Sequence, residues 1–290
     1  MMAGLNEQTR KPIVLSHVQV KPIIQVRQAG KSTVTCSLDL GLTTDSVRLE
    51  SGQVVFPDGQ RLSWNNIEEI GESEVACFVV ENNAAKKIQF FSENLNRHYG
   101  LMPTGQAPTM LISGLPMHRI KGIDPHEDTL RKIHAISPIV GRVLDTATGL
   151  GYTAIEAAKT AEEVVTIELD PTALKVARLN PWSQALFDNP KIRQLVGDSF
   201  EEVQSLEDGT FSRIIHDPPT FSLAGDLYSE AFYRQLFRVL KRNGRLFHYI
   251  GDLDRSSGSR LVKGAMRRLQ EAGFTRIIRK PDAFGLVAHK

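Results

Sequence analysis

The stretch Asp145-Thr-Ala-Thr-Gly149-Leu-Gly151-Tyr is the sequence feature that most constrains this chain. It follows the short apolar run Val143-Leu144 and precedes an alanine-rich segment that reaches Lys159. Glycines in such a loop let the backbone approach a ligand closely, and the N-terminus of a following helix offers free N–H groups. The stretch therefore predicts a strand, a ligand-binding glycine loop and the start of a helix, in that order.

The acidic residue at the end of this strand bears on which ligand the loop holds. A carboxylate at Asp145 would repel the phosphates of NAD, FAD or ATP. It suits a ligand that carries an ammonium or sulfonium group and no phosphate, and S-adenosylmethionine (SAM) is such a ligand. Gly149, Gly151 and Ala154 also fit the loose dinucleotide pattern, with Glu168 near its expected acidic position. Asp145 and the acidic residues farther along the chain favour SAM.

Composition is that of an ordinary globular protein. The chain has 290 residues, of which 41% are hydrophobic and 23% charged, and this length is enough for one large domain or two ordinary ones. No apolar run approaches the length of a membrane span, so we expect no membrane contact. Cys36 and Cys77 are the only cysteines, too few for a disulfide framework or a metal cluster. We therefore expect a cytoplasmic protein without a metal site, with both cysteines in a β core.

Charge is distributed unevenly along the chain. Residues 1–100 have a net charge of −1 and residues 101–231 a net charge of −7. Residues 232–290, the basic C-terminal segment, contain 14 basic and 4 acidic residues, a net charge of +10. Such a segment favours a phosphate-binding face and RNA as a partner. The alternative is an ordinary solvated surface, because helices expose Arg and Lys in any case.

The first part of the chain, residues 1–107, predicts a small, mainly β domain with no recognisable site. β-branched and apolar runs alternate with turn signals, and residues 64–70 fit one short helix. The predicted strands are 13–20, 23–26, 33–40, 75–80 and 88–91. Two prolines and Gly105 make residues 101–108 irregular, so we place the domain boundary there and assign residues 108–290 to a second domain.

The second domain predicts an α/β fold of the Rossmann-like kind. Strands and helices alternate from residue 141, a pattern typical of a parallel sheet covered by helices on both faces. The predicted strands are 142–146, 163–169, 192–197, 211–216, 245–250, 274–279 and 284–289. The predicted helices are 125–136, 152–160, 172–179, 228–241 and 257–272. The last two strands are so close in sequence that they must form an antiparallel hairpin.

Three acidic residues stand at the ends of successive predicted strands. They are Asp145, Glu168 and Asp198, and the carboxyl ends of parallel strands meet at one edge of the sheet. Glu168 is suited to accept both ribose hydroxyls, and Asp198 to accept the adenine amine, with Ser199 or Phe200 beside the ring. Each alone would also be explained as a helix cap or loop carboxylate, but three in register next to a glycine loop indicate one ligand site.

The fourth strand ends in His216-Asp217-Pro218-Pro219-Thr220-Phe221-Ser222. Two successive prolines rigidify this loop. The Asp217 carboxylate and the Pro218 carbonyl are then placed to accept hydrogen bonds from an amine or ring N–H. Such bonds would aim the nitrogen lone pair at a methyl donor, which is catalysis by positioning. The alternative is a plain Pro-Pro connection between a strand and a helix.

These motifs together resemble a known fold family. Residues 141–290 look like a class I SAM-dependent methyltransferase, whose sheet ends in a hairpin. The Asp217-Pro-Pro element resembles the Asp/Asn-Pro-Pro-aromatic motif of amino and ring-nitrogen methyltransferases. The resemblance implies catalytic roles for Asp217, Pro218 and Pro219 and places Thr220 and Phe221 against the substrate. It implies that SAM is held by Asp145, Thr148, Gly149, Gly151, Glu168, Asp198 and Ser199.

One departure from that motif concerns the aromatic position. Thr220 follows the second proline, and Phe221 comes one residue later. Asp-Pro-Pro-Thr-Phe-Ser is similar to a motif in a ribosomal RNA guanine-N7 methyltransferase. The whole chain also resembles a methyltransferase family best known from archaea, which has a small N-terminal β domain and no firmly assigned substrate. That match rests on three segments: Ile112-Ser-Gly-Leu-Pro-Met-His-Arg119, Asn180-Pro-Trp-Ser183 and His216-Asp-Pro-Pro-Thr-Phe-Ser-Leu-Ala-Gly225.

Other residues have weaker claims. His118 is a candidate general base or substrate contact and Arg119 a candidate anchor for a phosphate or carboxylate, with an ordinary surface turn as the alternative. Trp182 either contacts substrate or packs at a helix end. The second domain contains no cysteine, which excludes the usual cysteine-dependent 5-methylcytosine mechanism.

The sequence thus favours SAM-dependent methyl transfer to a nitrogen atom, with an RNA base as the first substrate. A nitrogen of a small molecule or a protein is another possible target. Residues 227–240 are similar to a helix of spermidine synthases, so aminopropyl transfer from decarboxylated SAM is an alternative, although those enzymes lack the double proline. A SAM-binding RNA module without catalysis is a third alternative.

Overall fold

The structure is a computed structural model that describes residues 12–221, 223–253 and 256–290. Ser222 of the Asp217 motif and Arg255 of the basic C-terminal segment lie outside these residues. The chain divides into two compact units. The first unit comprises Met1–Asp124 and Lys175–Gln184, and the second comprises Pro125–Leu174 and Ala185–Lys290.

The first unit is built mainly from antiparallel sheets, as the sequence predicts, and it also contains helices. Its strands are β1 Ile13–Leu15, β2 Thr33–Cys36, β3 Asp45–Leu49, β4 Gln53–Val55, β5 Arg61–Ser63, β6 Phe78–Glu81, β7 Ala84–Lys87, β8 Gln89–Ser92, β9 Arg97–Met102, β10 Thr109–Ile112 and β11 Leu115–Pro116. Helix α1 is His17–Gln28 and helix α2 is Trp64–Glu72. The sheets have the orders β1-β6-β7, β2-β3-β4-β5 and β11-β10-β9-β8. Cys36 and Cys77 are buried in this unit, as expected.

The strands predicted over residues 13–20 and 23–26 are wrong beyond Leu15, because α1 begins at His17. Ser16 and Gln19 form a capping box, in which Gln19 Oε1 accepts from Ser16 N at 3.1 Å. Val20 and Ile23 then lie three residues apart on the buried face of the helix. The cap and this helical spacing outweigh the β preference of the Val and Ile residues.

The domain boundary predicted after residue 107 falls inside a sheet. β9 and β10 pair as an antiparallel hairpin across it, with Met102 opposite Thr109. The first compact unit therefore runs on to Asp124, and it also includes residues 175–184 from the middle of the chain. Irregular sequence with prolines is a signal for a loop, and here the loop connects two paired strands.

The second unit alternates strands and helices. Its strands are β12 Arg142–Asp145, β13 Glu163–Glu168, β14 Ile192–Val196, β15 Phe211–His216, β16 Leu240–Tyr249, β17 Ile278–Lys280 and β18 Gly285–His289. Its helices are α3 Pro125–Ala135, α4 Tyr152–Ala158, α5 Pro171–Leu179, α6 Gln184–Asp188, α7 Ser199–Glu202, α8 Glu230–Val239 and α9 Ser256–Glu271. From Lys175 onward α5 belongs to the first unit, as does Gln184. None of the helices in the described part of the chain has the length and apolarity needed to cross a bilayer.

The sheet of the second unit has the order β14-β13-β12-β15-β16-β18-β17. Its strands are parallel except β18, which runs antiparallel to both β16 and β17. This confirms the Rossmann-like α/β fold with a C-terminal antiparallel hairpin. The core contains Leu144, Val165, Ile214 and Leu246, one from each central strand, all fully buried. Val143, Val164, Ile215 and Phe247, the adjacent residues that point to the opposite face, are buried as well, so both faces are covered, as is usual for parallel sheets.

The strand order reverses between β12 and β15. β13 and β14 extend from one side of β12, while β15 and β16 extend from the other. Open α/β sheets bind ligands at the carboxyl ends of the strands beside such a switch point. Asp145, Glu168 and Asp217 stand at or just after the carboxyl ends of β12, β13 and β15, so the fold brings these predicted residues to one edge of one sheet.

Candidate active site

Asp145 is a fully buried carboxylate at the switch point. Its Oδ2 accepts hydrogen bonds from Thr166 Oγ1 at 2.9 Å and Thr153 Oγ1 at 3.2 Å. Its Oδ1 is also buried and has no hydrogen-bond partner among the described residues. Burial raises the pKa of Asp145 to about 7, although the threonine hydroxyls oppose the shift. An oxygen left without a donor in this way fits a ligand that brings its own N–H, O–H or positive charge.

The two loop glycines have different reasons to be glycine. Gly151 has φ +77°, and a Cβ there would stand 2.7 Å from the Leu186 side chain. Gly149 has φ +53°, and a Cβ there would meet nothing within 4 Å. Gly151 is thus required by packing inside the protein, whereas Gly149 borders open space that a ligand can enter. The predicted cofactor residue Thr148 is buried, and its hydroxyl lies 2.6 Å from that of Thr166.

Glu168 ends β13 and is positioned by backbone groups. Its Oε2 accepts from Gly149 N at 2.8 Å, and its Oε1 accepts from Asp170 N at 3.0 Å. Burial raises the pKa of Glu168, while these backbone N–H groups act against the increase. Each carboxylate oxygen keeps a second lone pair, so the group is both fixed and able to accept from two hydroxyls.

Asp198 and Ser199 follow the carboxyl end of β14. Asp198 is exposed and caps α7, with Oδ1 accepting from Phe200 N at 2.8 Å. Ser199 is buried, and its hydroxyl donates to the Thr146 carbonyl at 2.6 Å. Asp198 therefore retains an accessible carboxylate, whereas the Ser199 hydroxyl ties α7 to the loop after β12. Their assignment to the adenine end of a cofactor stays a prediction.

The residues at this edge fit SAM. Asp145, Gly149 and Glu168, together called the β12 cluster, combine a buried oxygen without a donor, open space beside the backbone and a fixed double acceptor. A ligand with an amine, a ribose diol and no phosphate matches these features. A pyrophosphate would meet two carboxylates instead, which disfavours the dinucleotide alternative.

Asp217 lies on a loop that is anchored from within the unit. The Tyr228 hydroxyl donates to the Pro219 carbonyl at 3.0 Å. The Phe221 ring packs edge-on against Tyr228, with centroids 5.4 Å apart, yet 51% of Phe221 remains exposed. Thr220 is exposed as well. The loop therefore presents a carboxylate, a hydroxyl and an aromatic ring on a supported backbone.

Lys132 is a site residue that sequence reasoning missed. It is 3% exposed. Its Nζ lies 2.6 Å from Asp217 Oδ2 and 2.9 Å from Asp128 Oδ2. The ammonium also stands 4.6 Å from the centre of the Tyr249 ring. Burial alone would lower the pKa of Lys132, but Asp217 and Asp128 outweigh it and hold the pKa above its ordinary value. We call Asp128, Lys132 and Asp217 the β15 cluster.

A signal for Lys132 existed in the sequence but was ambiguous. Helix α3 contains two acidic–basic pairs at spacing i, i+4, Glu127–Arg131 and Asp128–Lys132. The first pair is exposed, and the second is buried. Because adjacent residues on a helix differ by about 100° in direction, only one of the pairs can face the sheet. The sequence alone does not show which one.

Two buried histidines lie beneath the Asp217 loop. His216 Nε2 faces the Leu227 carbonyl at 2.9 Å and so carries the proton, while Nδ1 accepts from Thr146 Oγ1 at 2.7 Å. Burial lowers the pKa of His216 to about 3 and that of His248 well below its ordinary value. His248 Nε2 lies 2.8 Å from the Tyr233 hydroxyl. Both rings are neutral and fully bonded, so they support the loop rather than exchange protons.

His118 and Trp182 belong to the first unit. His118 Nδ1 is 3.0 Å from Thr109 Oγ1, and its backbone N–H donates to the same hydroxyl. The Trp182 indole donates to the Leu40 carbonyl at 3.1 Å, which agrees with the packing interpretation of this residue. A substrate role for His118 stays a prediction.

Comparisons with known proteins bear on the family and the fold of the chain. Residues 143–244 match the family described as "Methyltransferase domain". The uncharacterized protein MJ1233 of Methanocaldococcus jannaschii is 38% identical over 284 residues, 96% of each chain. Polyamine aminopropyltransferase 2 of Streptomyces coelicolor is 30% identical over 145 residues, 47% of this chain and 26% of that protein.

A solved structure supports the fold independently. Spermidine synthase from Thermotoga maritima superposes with a TM-score of 0.55 at 18% identity, covering 72% of this chain and 76% of that one. At this identity the likeness concerns the fold alone. The match to the methyltransferase family lies over the β12 cluster and the strands that carry it. The chain belongs to the family of the Methanocaldococcus jannaschii protein and is a class I SAM-dependent methyltransferase.

Proposed function

We propose that this enzyme transfers the methyl group of SAM to a nitrogen atom of its substrate at the Asp217 loop. One observation carries the proposal. Asp217 is a partly exposed carboxylate, 19% exposed, on a double-proline loop directly after β15 and beside the switch point. When bound, SAM supplies an electrophilic methyl group.

One group of residues would bind the methyl donor, and another would orient the substrate. The β12 cluster would hold the amine and ribose ends of SAM, with Asp198 at its adenine end. Asp217 and the Pro218 carbonyl would accept hydrogen bonds from the substrate N–H groups and so aim the nitrogen lone pair. Pro218 and Pro219 restrict the backbone, and Tyr228 fixes the Pro219 carbonyl, so the acceptors need little reorganisation during the reaction.

An RNA base is the substrate that we favour. The exposed Phe221, four residues after Asp217, offers an aromatic ring, and aromatic residues stack on bases taken out of a helix. Lys241, Arg242 and Lys263 of the basic C-terminal segment are exposed. Other basic residues in that segment bond within the unit, such as Arg238 with Asp208 and Arg245 with the Ser137 carbonyl. Phe221 therefore supports the RNA proposal more than the net charge does.

Aminopropyl transfer is the second candidate. It is favoured by the relatedness to polyamine aminopropyltransferases and by the spermidine synthase fold. Decarboxylated SAM lacks a carboxylate and keeps its amine, so Asp145 Oδ1 suits either donor. The two candidates differ in the group transferred and in the acceptor, which is a diamine in one case and a base nitrogen in the other.

Methyl-tritiated SAM tests the proposal. The enzyme is incubated with total RNA, a protein extract and 1,4-diaminobutane in separate reactions, and labelled RNA is digested to nucleosides. We expect label on a nucleoside nitrogen, with kcat lower by roughly 1,000-fold in Asp217→Ala because the acceptor is lost. Asp188→Ala, which removes an exposed carboxylate at the end of α6, serves as the matched control.

Label found only in protein or diamine would replace RNA with that substrate class. Label on a carbon or oxygen would contradict nitrogen transfer. Full activity in Asp217→Ala would remove Asp217 from the reaction.

A further inference from the structure

The carboxylate that would receive the substrate nitrogen already has a cationic partner. Lys132 Nζ contacts Asp217 Oδ2 at 2.6 Å, and no described residue donates a hydrogen bond to Asp217 Oδ1. Asp217 is 19% exposed while Lys132 is 3% exposed. The carboxylate therefore has one oxygen turned to a buried ammonium and one available to a ligand.

The position of this ammonium is fixed from other directions. Asp128, itself fully buried, holds Nζ at 2.9 Å, and the Tyr249 ring lies against it. A buried charge that is bonded on several sides does not move away without a large loss of interaction energy. Lys132 is thus a permanent neighbour of Asp217.

We propose that Lys132 determines specificity: it makes Asp217 a hydrogen-bond acceptor for an uncharged nitrogen of a planar heterocycle and excludes a protonated alkylamine. The proposal rests on the proposed methyl transfer and deepens it by naming the substrate class. A second cation at Asp217 would face Lys132 across one carboxylate, and such like-charge pairs discriminate strongly against a ligand. SAM brings a further positive charge to the same edge of the sheet.

The chemistry of methyl transfer also favours an uncharged heterocyclic nitrogen as the substrate. The nitrogen lone pair forms the new N–C bond, and the C–S bond breaks with its electron pair going to sulfur. The proton on the methylated nitrogen then passes to water. An uncharged heterocyclic nitrogen has its lone pair available at neutral pH, whereas an alkylammonium must first give a proton to a base. Burial raises the pKa of Asp217, but the Lys132 ammonium opposes that rise and already bonds Oδ2, which makes Asp217 a weaker base than an unpaired buried carboxylate would be.

Substitution of Lys132 tests this role. Lys132→Met removes the charge and keeps the length, Lys132→Arg keeps the charge, and Arg131→Gln on the same helix is the control, since Arg131 forms an exposed pair with Glu127. For each protein, kcat and KM with total RNA are measured from pH 6 to pH 10. Binding of 1,4-diaminobutane is measured by calorimetry on the full chain.

We expect Lys132→Met to lower kcat at pH 7 by about 100-fold, to move the acidic limb of its pH profile upward, and to leave the Kd for SAM unchanged. The limb moves because burial, which already raises the pKa of Asp217 in the wild type, then acts without the opposing ammonium. The titratable groups that act on Asp217 or on Lys132 are Asp128, Asp145, Tyr228 and Tyr249. A merely structural lysine would lower activity equally at every pH.

We also expect Lys132→Met to bind 1,4-diaminobutane at least about 10-fold more tightly than the wild type, because an ammonium of the ligand then pairs with Asp217 in place of the removed Lys132 ammonium. Lys132→Arg should keep the wild-type preference and pH profile. Unchanged kcat and pH profile in Lys132→Met would overturn the proposal.

The wild-type protein provides a test even when Lys132→Met does not fold. Tight binding of 1,4-diaminobutane to the wild type that is lost in Asp217→Ala would overturn the exclusion of alkylamines. Wild-type protein that transfers no methyl group to any acceptor refutes the proposed function, which is a different result from transfer that is indifferent to Lys132.

Discussion

The β12 cluster and the β15 cluster stand at the same edge of one sheet, yet they stabilise their carboxylates in different ways. Asp145 and Glu168 are held by threonine hydroxyls and backbone N–H groups, which are neutral donors. Asp217 is held by the ammonium of Lys132. Neutral donors leave the negative charge uncompensated, and an ammonium compensates it.

This difference assigns separate tasks to the two places. The uncompensated charge of the β12 cluster suits a ligand that arrives with a positive charge, as SAM does. The compensated charge of the β15 cluster suits a group that arrives uncharged and needs orientation. Changes in the β12 cluster should therefore alter donor affinity, and changes around Asp217 should alter kcat.

Gly151 and Gly149 are expected to differ clearly in their contribution to stability. Gly151→Ala should lower the free energy of unfolding by roughly 3 kcal/mol, since the new Cβ meets Leu186 and the φ of +77° is strained for alanine. Gly149→Ala should lower it by only about 1 kcal/mol, because its Cβ enters open space. Urea denaturation of both variants measures this.

Measurements of SAM binding provide a second test of the difference between Gly149 and Gly151. Gly149→Ala should weaken SAM binding more than its small loss of stability explains, because the Cβ occupies ligand space. Equal stability losses in the two variants would contradict the separation of packing and ligand-facing glycines.

Asp145→Asn should stabilise the protein without ligand and weaken SAM binding. Burial raises the folded pKa of Asp145 to about 7, so the wild type loses stability as the pH rises from the ordinary value of 3.8 through 7. Asparagine has no such loss, and we expect a gain of about 4 kcal/mol at pH 8 and less than about 1 kcal/mol at pH 4. Denaturation curves at the two pH values measure it, and a pH-independent difference would be evidence against a buried carboxylate with a raised pKa.

Glu168→Gln should raise the Kd for SAM by about 10-fold and change kcat by less than about twofold, since charged hydrogen bonds are stronger than neutral ones. Calorimetric titration and steady-state rates check this. A larger effect on kcat than on Kd would contradict the assignment of donor affinity to the β12 cluster and of kcat to the surroundings of Asp217. Glu162→Gln, at an exposed position just before β13, is a suitable control.

Tyr228→Phe should have the smallest effect. It removes the hydrogen bond to the Pro219 carbonyl and keeps the ring against Phe221, so kcat should fall by about 3- to 10-fold. The Kd for SAM should not change. Weaker SAM binding with normal kcat would show that Tyr228 acts on the β12 cluster instead.

The sequence predicted the parts of this molecule whose signals are local. Asp145 and Glu168 could be placed because each ends a recognisable strand and parallel strands align their ends, and Gly149 because it lies in the loop that follows the first of these strands. Lys132 could not, since it meets Asp217 across 85 positions and its orientation depends on how α3 rotates against the sheet. The capping box at Ser16 and Gln19 was present in the sequence, but the Val and Ile residues after it favoured a strand.

The measurement that tests the central claim most directly compares the two donors. Wild-type enzyme is given SAM labelled in the methyl group or decarboxylated SAM labelled in the aminopropyl group, each with a mixture of total RNA and 1,4-diaminobutane. We predict that the methyl label appears on a nitrogen of RNA nucleosides and that the aminopropyl label is not transferred. Transfer of the aminopropyl label to the diamine, without methylation of RNA, would contradict the proposed function and the specificity assigned to Lys132.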